Sequence, residues 1–224
     1  MQTSTSNTQE YFIFVNLANP FAKHNLQFTG QILSAGYTSV LQYSDLEVQY
    51  LEGKLNYLPF VINEQISTGF LSFYCASAIT DYRVEYDAEM RRLLSFAKLP
   101  SRLSAVYAFA TEEDCREAQR LYRWNLNSVR RFTLLEDSLT KVAKVNMEII
   151  SLMRSVYPTG MWSGEDIERI WTHYWSGGGN LEIEIPTMQS PPNTHKRIHS
   201  GEVWEYLVEG RLQLQGDLYT PIQF

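Results

Sequence analysis

The chain has 224 residues, 44% of them hydrophobic and 13% aromatic, enough apolar matter for one packed core. Its formal charge of -6 argues against a protein that grips nucleic acid by bulk phosphate neutralisation, which requires a clustered Lys/Arg surface. Cys75 and Cys115 have no metal-ligand spacing and no disulfide framework to join. No stretch reaches the ~18 apolar residues of a spanning helix and no basic, apolar leader opens the chain, so the reading is a cytoplasmic protein without a membrane partner.

Residues 1–9 read as a disordered polar tail, and 10–224 as a single domain. Tyr11-Phe-Ile-Phe-Val-Asn-Leu17 is a β-rich run that fits a buried strand, closed by Asn19-Pro20. Between residues 36 and 52, Leu41, Leu46, Val48 and Leu51 suit a helix face that stops at Gly53. Pro59-Phe-Val-Ile62 and Gly69-Phe-Leu-Ser-Phe-Tyr-Cys75 are short apolar runs compatible with strands or helix ends. Tyr82, Tyr86, Met90, Leu93, Leu94 and Ala97 recur at helical spacing and predict an amphipathic helix ended by Pro100.

Beyond Pro100, residues 103–109 read as a strand buried on both faces. Thr111 caps an acid-rich helix start, Glu112-Glu-Asp114, in a helix expected to run through Trp124. Strands are expected at Val129–Leu135 and Lys141–Val145, then helices at Met147–Val156 and Glu165–Trp175, the second capped by Ser163 and broken by Gly177-Gly-Gly179. Three late strands follow, Leu181–Ile185, Val203–Val208 and Leu212–Leu214, with a long loop holding Pro191-Pro192 and His195-Lys-Arg-Ile-His199 between the first two. This order lacks regular β-α alternation, so the fold class is α+β. Neither a dinucleotide-binding glycine fingerprint nor a P-loop is present.

Several residues stand out. Pro100-Ser-Arg-Leu-Ser104 opens one strand, and Gly201-Glu-Val-Trp-Glu-Tyr-Leu-Val-Glu-Gly210 carries carboxylates on another about a hundred residues later. Read without further context, Glu202, Glu205 and Glu209 are solvated positions near a terminal hairpin, and Arg102 is an ion-pair partner. Tyr107 then belongs to the core, and most arginines of the middle third lie on solvated helix faces. His195 and His199 have a four-residue spacing but sit in an expected loop with no third ligand, so no metal site is expected. No serine lies on a sharp glycine-flanked turn and neither cysteine has an activating neighbour, which disfavours a hydrolase triad or Cys-His chemistry.

Glu89-Met-Arg-Arg92, Pro100-Ser-Arg102 opening its strand, and the acid-rich helix start after it resemble a pattern in bacterial ADP-ribosyltransferase-like proteins. Tyr174-Trp-Ser-Gly177 and Glu205-Tyr-Leu-Val-Glu-Gly210 resemble its closing part, so the likeness covers roughly residues 85 to 215. The resemblance implies a split, bent β core with flanking helices that binds NAD as a substrate and transfers ADP-ribose to a macromolecular acceptor, protein or nucleic acid. It assigns the catalytic carboxylate to Glu205. Ser101 and Ser104 are expected to hold the nicotinamide ribose or brace Glu205, Arg102 to hold a phosphate, and Tyr107 to stack on nicotinamide.

The superfamily usually carries Arg or His on its first strand for NAD, where this chain offers only Asn16, with Lys23 and His24 just beyond. Stand-alone members of this kind are commonly toxins or phage-conflict effectors with a neutralising antitoxin protein. The competing expectation is a catalytically inactive binding module that keeps the same fold.

Overall fold

A computed structural model describes residues 9–61, 72–159, 162–186 and 195–224. The expected polar tail and the Pro191-Pro192 part of the expected loop lie almost wholly outside these residues. The chain is α+β, and every described strand pairing is antiparallel. Strand β1 (Glu10–Phe14) leads to helix α1 (Pro20–Thr29), β2 (Gln31–Leu33), α2 (Ala35–Gln42), the short α3 (Glu47–Leu51) and the long α4 (Phe73–Ser95). Then come β3 (Val106–Ala108), α5 (Glu112–Tyr122), β4 (Val129–Leu135), β5 (Lys141–Asn146), α6 (Met147–Val156) and α7 (Gly164–Trp175). Strands β6 (Glu182–Pro186), β7 (His195–His199), β8 (Trp204–Glu209) and β9 (Arg211–Leu214) close the chain.

Two sheets, ordered β1-β4-β9-β2 and β3-β8-β5, form the body, with β6-β7 as a separate ribbon. Strands β8 and β9 are not the hairpin expected from Gly210. They run consecutively from one sheet into the other, with Gly210 as the joint. The Gly210 amide donates to Ser34 Oγ at 3.0 Å and its carbonyl accepts from the Ser34 amide at 3.1 Å, so the joint satisfies its backbone groups against the α2 N-cap. A bridge between Phe12 and Phe109 ties the sheets a second time.

Local chemistry explains most element ends. Thr111 Oγ1 accepts from the Asp114 amide, and Ser163 with Asp166 forms a capping box, as their sequences predict. Asn19-Pro20 does more than end β1. Asn19 accepts from the amides of residues 21 and 22, and Pro20 occupies the first turn of α1, a helix that apolar spacing did not signal. Helix α5 stops at Tyr122 because Arg123 is left-handed at φ 60, so Trp124 lies past the helix and not within it.

The expected strand over 103–109 shortens to β3, because the amides of Ser104 and Ala105 both turn back to the Ser101 carbonyl. His195–His199 forms β7 against β6, where a loop was expected.

The predicted apolar face of α4 is not its buried face. Val84, Ala88, Glu89 and Arg92 are buried, while Leu94 is 74% exposed. Arg92 is accommodated because it pairs with Glu89 through two bonds of 2.9 and 2.7 Å and donates to the carbonyls of Ala97 and Leu99. The face expected between residues 36 and 52 is likewise rotated: Tyr37, Val40 and Tyr50 are buried, and Leu41, Val48 and Leu51 are exposed.

Gly53, the expected stop, has a φ of +71, and a Cβ there would lie 1.8 Å from the Ala97 carbonyl oxygen. Gly53→Ala therefore strains the backbone and separates the α3 end from the α4 end. The expected loss is on the order of 3 kcal/mol in urea unfolding, and an unchanged midpoint contradicts this close approach.

Candidate functional site

Helix α4, the turn at residues 101–105, helix α7 and strand β8 meet around one side chain. Arg102 is 7% exposed, and its backbone is fixed by Tyr107, whose hydroxyl donates to the Arg102 carbonyl at 2.7 Å. Its guanidinium donates to Glu205 Oε1 at 2.6 Å, to the Tyr174 hydroxyl at 2.6 Å, and to both oxygens of Glu85 at 2.9 and 3.3 Å. The Tyr107 and Tyr174 rings lie 5.0 and 5.7 Å from its central carbon. Arg154, about half exposed, adds a second cation to Glu85 at 2.9 Å.

Of this group Glu85, Arg102, Tyr107, Arg154 and Glu205 line a cavity of about 630 Å³, within the range of small-molecule sites. Phe14, Phe109, Tyr122 and Trp124 line the same cavity, together with Met147 and Ile150. Trp124 meets Phe14 and Phe109 edge-on at 5.2 and 6.4 Å, and the tilted Tyr122 ring at 5.4 Å. Glu205 is 4% exposed and lines the cavity. Its Oε1 is held by Arg102, and Oε2 has no protein partner among the described residues. The arrangement thus offers one locked carboxylate oxygen and one open to a ligand.

The two carboxylates around Arg102 are driven apart in acidity. Burial raises the Glu205 pKa above its ordinary value, and the attraction of Arg102 does not cancel this. For Glu85 burial acts in the same direction, but Arg102 and Arg154 together overcome it and the pKa falls. A split of this kind lets neighbouring acids take different roles at one pH.

The predicted site residues separate into two groups. Arg102, Tyr107 and Glu205 converge on the cavity. Tyr107 is 39% exposed at its wall, so it is not the core residue that its apolar neighbours suggest. Ser101 and Ser104 do not brace Glu205. Ser101 donates its amide to Glu209 Oε1 at 3.1 Å and its hydroxyl to Glu89 at 2.8 Å, while the Ser104 hydroxyl donates to Glu209.

Glu209, expected to be solvated, is 1% exposed; Lys141 approaches it at 3.8 Å from the other side. The tight 101–105 turn explains the division, because it sends Arg102 into the cavity and Ser101 and Ser104 into this sealed network. Asn16 is exposed and borders a neighbouring cavity of about 410 Å³, not the one at Glu205.

Sequence reasoning missed Glu85, Tyr174, Arg154 and the aromatic wall as site components. A signal for Glu85 was present. It precedes Glu89 by four residues and Arg92 by seven, a charged line at the spacing of one helix face.

The split acidity has a measurable consequence for folding. Glu85, with its pKa lowered, contributes stability above pH 4.5 that is lost as pH falls through its folded pKa. Glu205, with its pKa raised, costs stability as pH rises from 4.5 through its folded pKa. In urea unfolding, Glu85→Gln should be less stable than the wild type at pH 7, with the gap closing on acidification. Glu205→Gln should match or exceed the wild type at pH 7, and parallel losses in both variants contradict the assignment. No protein-family model and no curated protein matches this chain, so the geometry around Arg102 carries the functional argument.

Proposed function

We propose that the protein is an NAD-dependent ADP-ribosyltransferase that moves ADP-ribose onto a macromolecular acceptor, a protein or a nucleic acid. The observation that carries this reading is Glu205, fixed through one oxygen by Arg102 and open through the other to an aromatic-walled cavity. Cleavage of the bond between the ribose C1′ and the nicotinamide nitrogen develops positive charge on the sugar, and nicotinamide leaves with the bonding electrons. A preorganised carboxylate stabilises that charge and orients the ribose hydroxyls, doing so best in a site that excludes water.

The acceptor nucleophile then bonds to C1′ and gives up a proton. Glu205, its pKa raised by burial, is suited to receive that proton. Aromatic rings at Phe14 and Trp124 offer stacking surfaces for flat heterocycles, and the part-exposed Tyr107 ring offers another. Toxin or phage-conflict activity with a neutralising antitoxin protein is the biology that corresponds to this reading. A catalytically inactive binding module is favoured by one observation. The Arg102–Glu205 pair at 2.6 Å is buried on both sides and is also what a purely structural ion pair looks like.

Incubation of the protein with labelled NAD and cell extract separates the two. The wild type should label a macromolecular fraction, and Glu205→Gln, which keeps an oxygen for Arg102, should lower the rate by about 10²- to 10³-fold. Equal labelling by both forms removes Glu205 from the chemistry. No labelling and no nicotinamide release by the wild type removes the transferase reading.

A further inference from the structure

A second cavity of about 410 Å³ shares Phe14 and Trp124 as lining residues with the cavity at Glu205. Arg130 lines the second cavity and is 5% exposed. Its bonding differs from that of Arg92 and Arg102, each of which grips a carboxylate. Arg130 donates Nε to the Leu218 carbonyl and Nη1 to the carbonyls of Asn127 and Val129. These acceptors fix the guanidinium without neutralising it. Among the described residues no carboxylate pairs with it and Nη2 has no acceptor, although the exposed Asp217 attracts it from farther away. A desolvated cation held in this way is costly unless an anion arrives.

Two other polar side chains that line this cavity keep a donor free. Asn16 uses its Oδ1 to accept from the Ala18 amide at 3.0 Å, and Asn125 uses its Oδ1 to accept from the Asn127 amide at 3.0 Å. Because a backbone N–H must meet an oxygen, both side chains are fixed with the amino group as the remaining donor. Asn16 and Asn125 both border the cavity with Arg130.

We propose that Arg130, Asn16 and Asn125 form a phosphate subsite, so that the molecule takes a nucleoside diphosphate group in the cavity that shares Phe14 and Trp124 with the Glu205 cavity. This deepens the transferase reading by giving the diphosphate half of its substrate a place that does not involve Arg102. The subsite itself requires no catalysis. Binding of ADP therefore tests it whether or not the protein transfers ADP-ribose.

Isothermal titration with ADP, inorganic pyrophosphate and adenosine checks the proposal. ADP and pyrophosphate should bind the wild type, with adenosine at least tenfold weaker than ADP. Arg130→Gln should weaken ADP at least tenfold and leave adenosine unchanged, while Glu205→Gln should keep wild-type ADP affinity. Asn16→Asp and Asn125→Asp retain the oxygen that closes each turn but replace the donor with a negative charge. Both should fold as the wild type and lose ADP tenfold or more, which keeps the test decisive if Arg130→Gln does not fold. ADP affinity unchanged in both aspartate variants, adenosine binding as tightly as ADP, or no ADP binding by the wild type overturns the subsite.

Discussion

Arg102 sets the positions of nearly every polar group around the main cavity. Removing a guanidinium from water is expensive, and the cost is offset only where its N–H groups find charged or hydrogen-bonding acceptors at the correct angles. Glu85 on α4, Tyr174 on α7 and Glu205 on β8 supply those acceptors from three separate elements. The requirement therefore acts as a geometric constraint on how α4, α7 and the β3-β8-β5 sheet approach one another. It also leaves Glu205 half used, since one oxygen satisfies the arginine and the other faces the cavity.

The relative charge of the three groups matters as much as their placement. Glu85 receives two cations, Arg102 and Arg154, whereas Glu205 shares one with Glu85. That asymmetry moves the two acids in opposite directions although both are desolvated. Arg154 lies toward solvent, so the balance is tuned from the rim of the cavity. A ligand that brings negative charge to that rim competes with Glu85 for Arg154.

Local grammar was readable from the sequence wherever a residue type has one physical use. Ser163, Thr111 and Gly53 mark element ends because capping oxygens and left-handed backbone leave few alternatives. Both α4 and the segment from 36 to 52 were read with the wrong faces. Counting apolar residues assumes that charges stay outside, and Glu89 with Arg92 breaks that assumption by neutralising each other in the interior. Glu209 was misread for the same reason, and Gly210 because a glycine after a strand signals a turn more often than a joint between sheets. Arg102 and Glu205 stand 103 positions apart and no periodicity links them, so only the resemblance pointed to the pair.

Strand β8 brings the two polar systems onto one rigid element. Glu205 and Glu209 lie four residues apart and share a face, with the fully buried Leu207 between them. At strand rise the two carboxylates are separated by roughly 13 Å, and apolar packing fills the interval. Each is served by its own cation, Arg102 for the first and Lys141 for the second. The second system is closed so tightly that a Cβ at Gly36 would meet the Tyr57 hydroxyl at 2.8 Å and Glu209 at 3.0 Å. Glu209 thus anchors the joint at Gly210 while Glu205 faces the cavity. Because Glu209 and not Glu205 holds the groups beside the sheet junction, a ligand can contact the second oxygen of Glu205 without disturbing that joint.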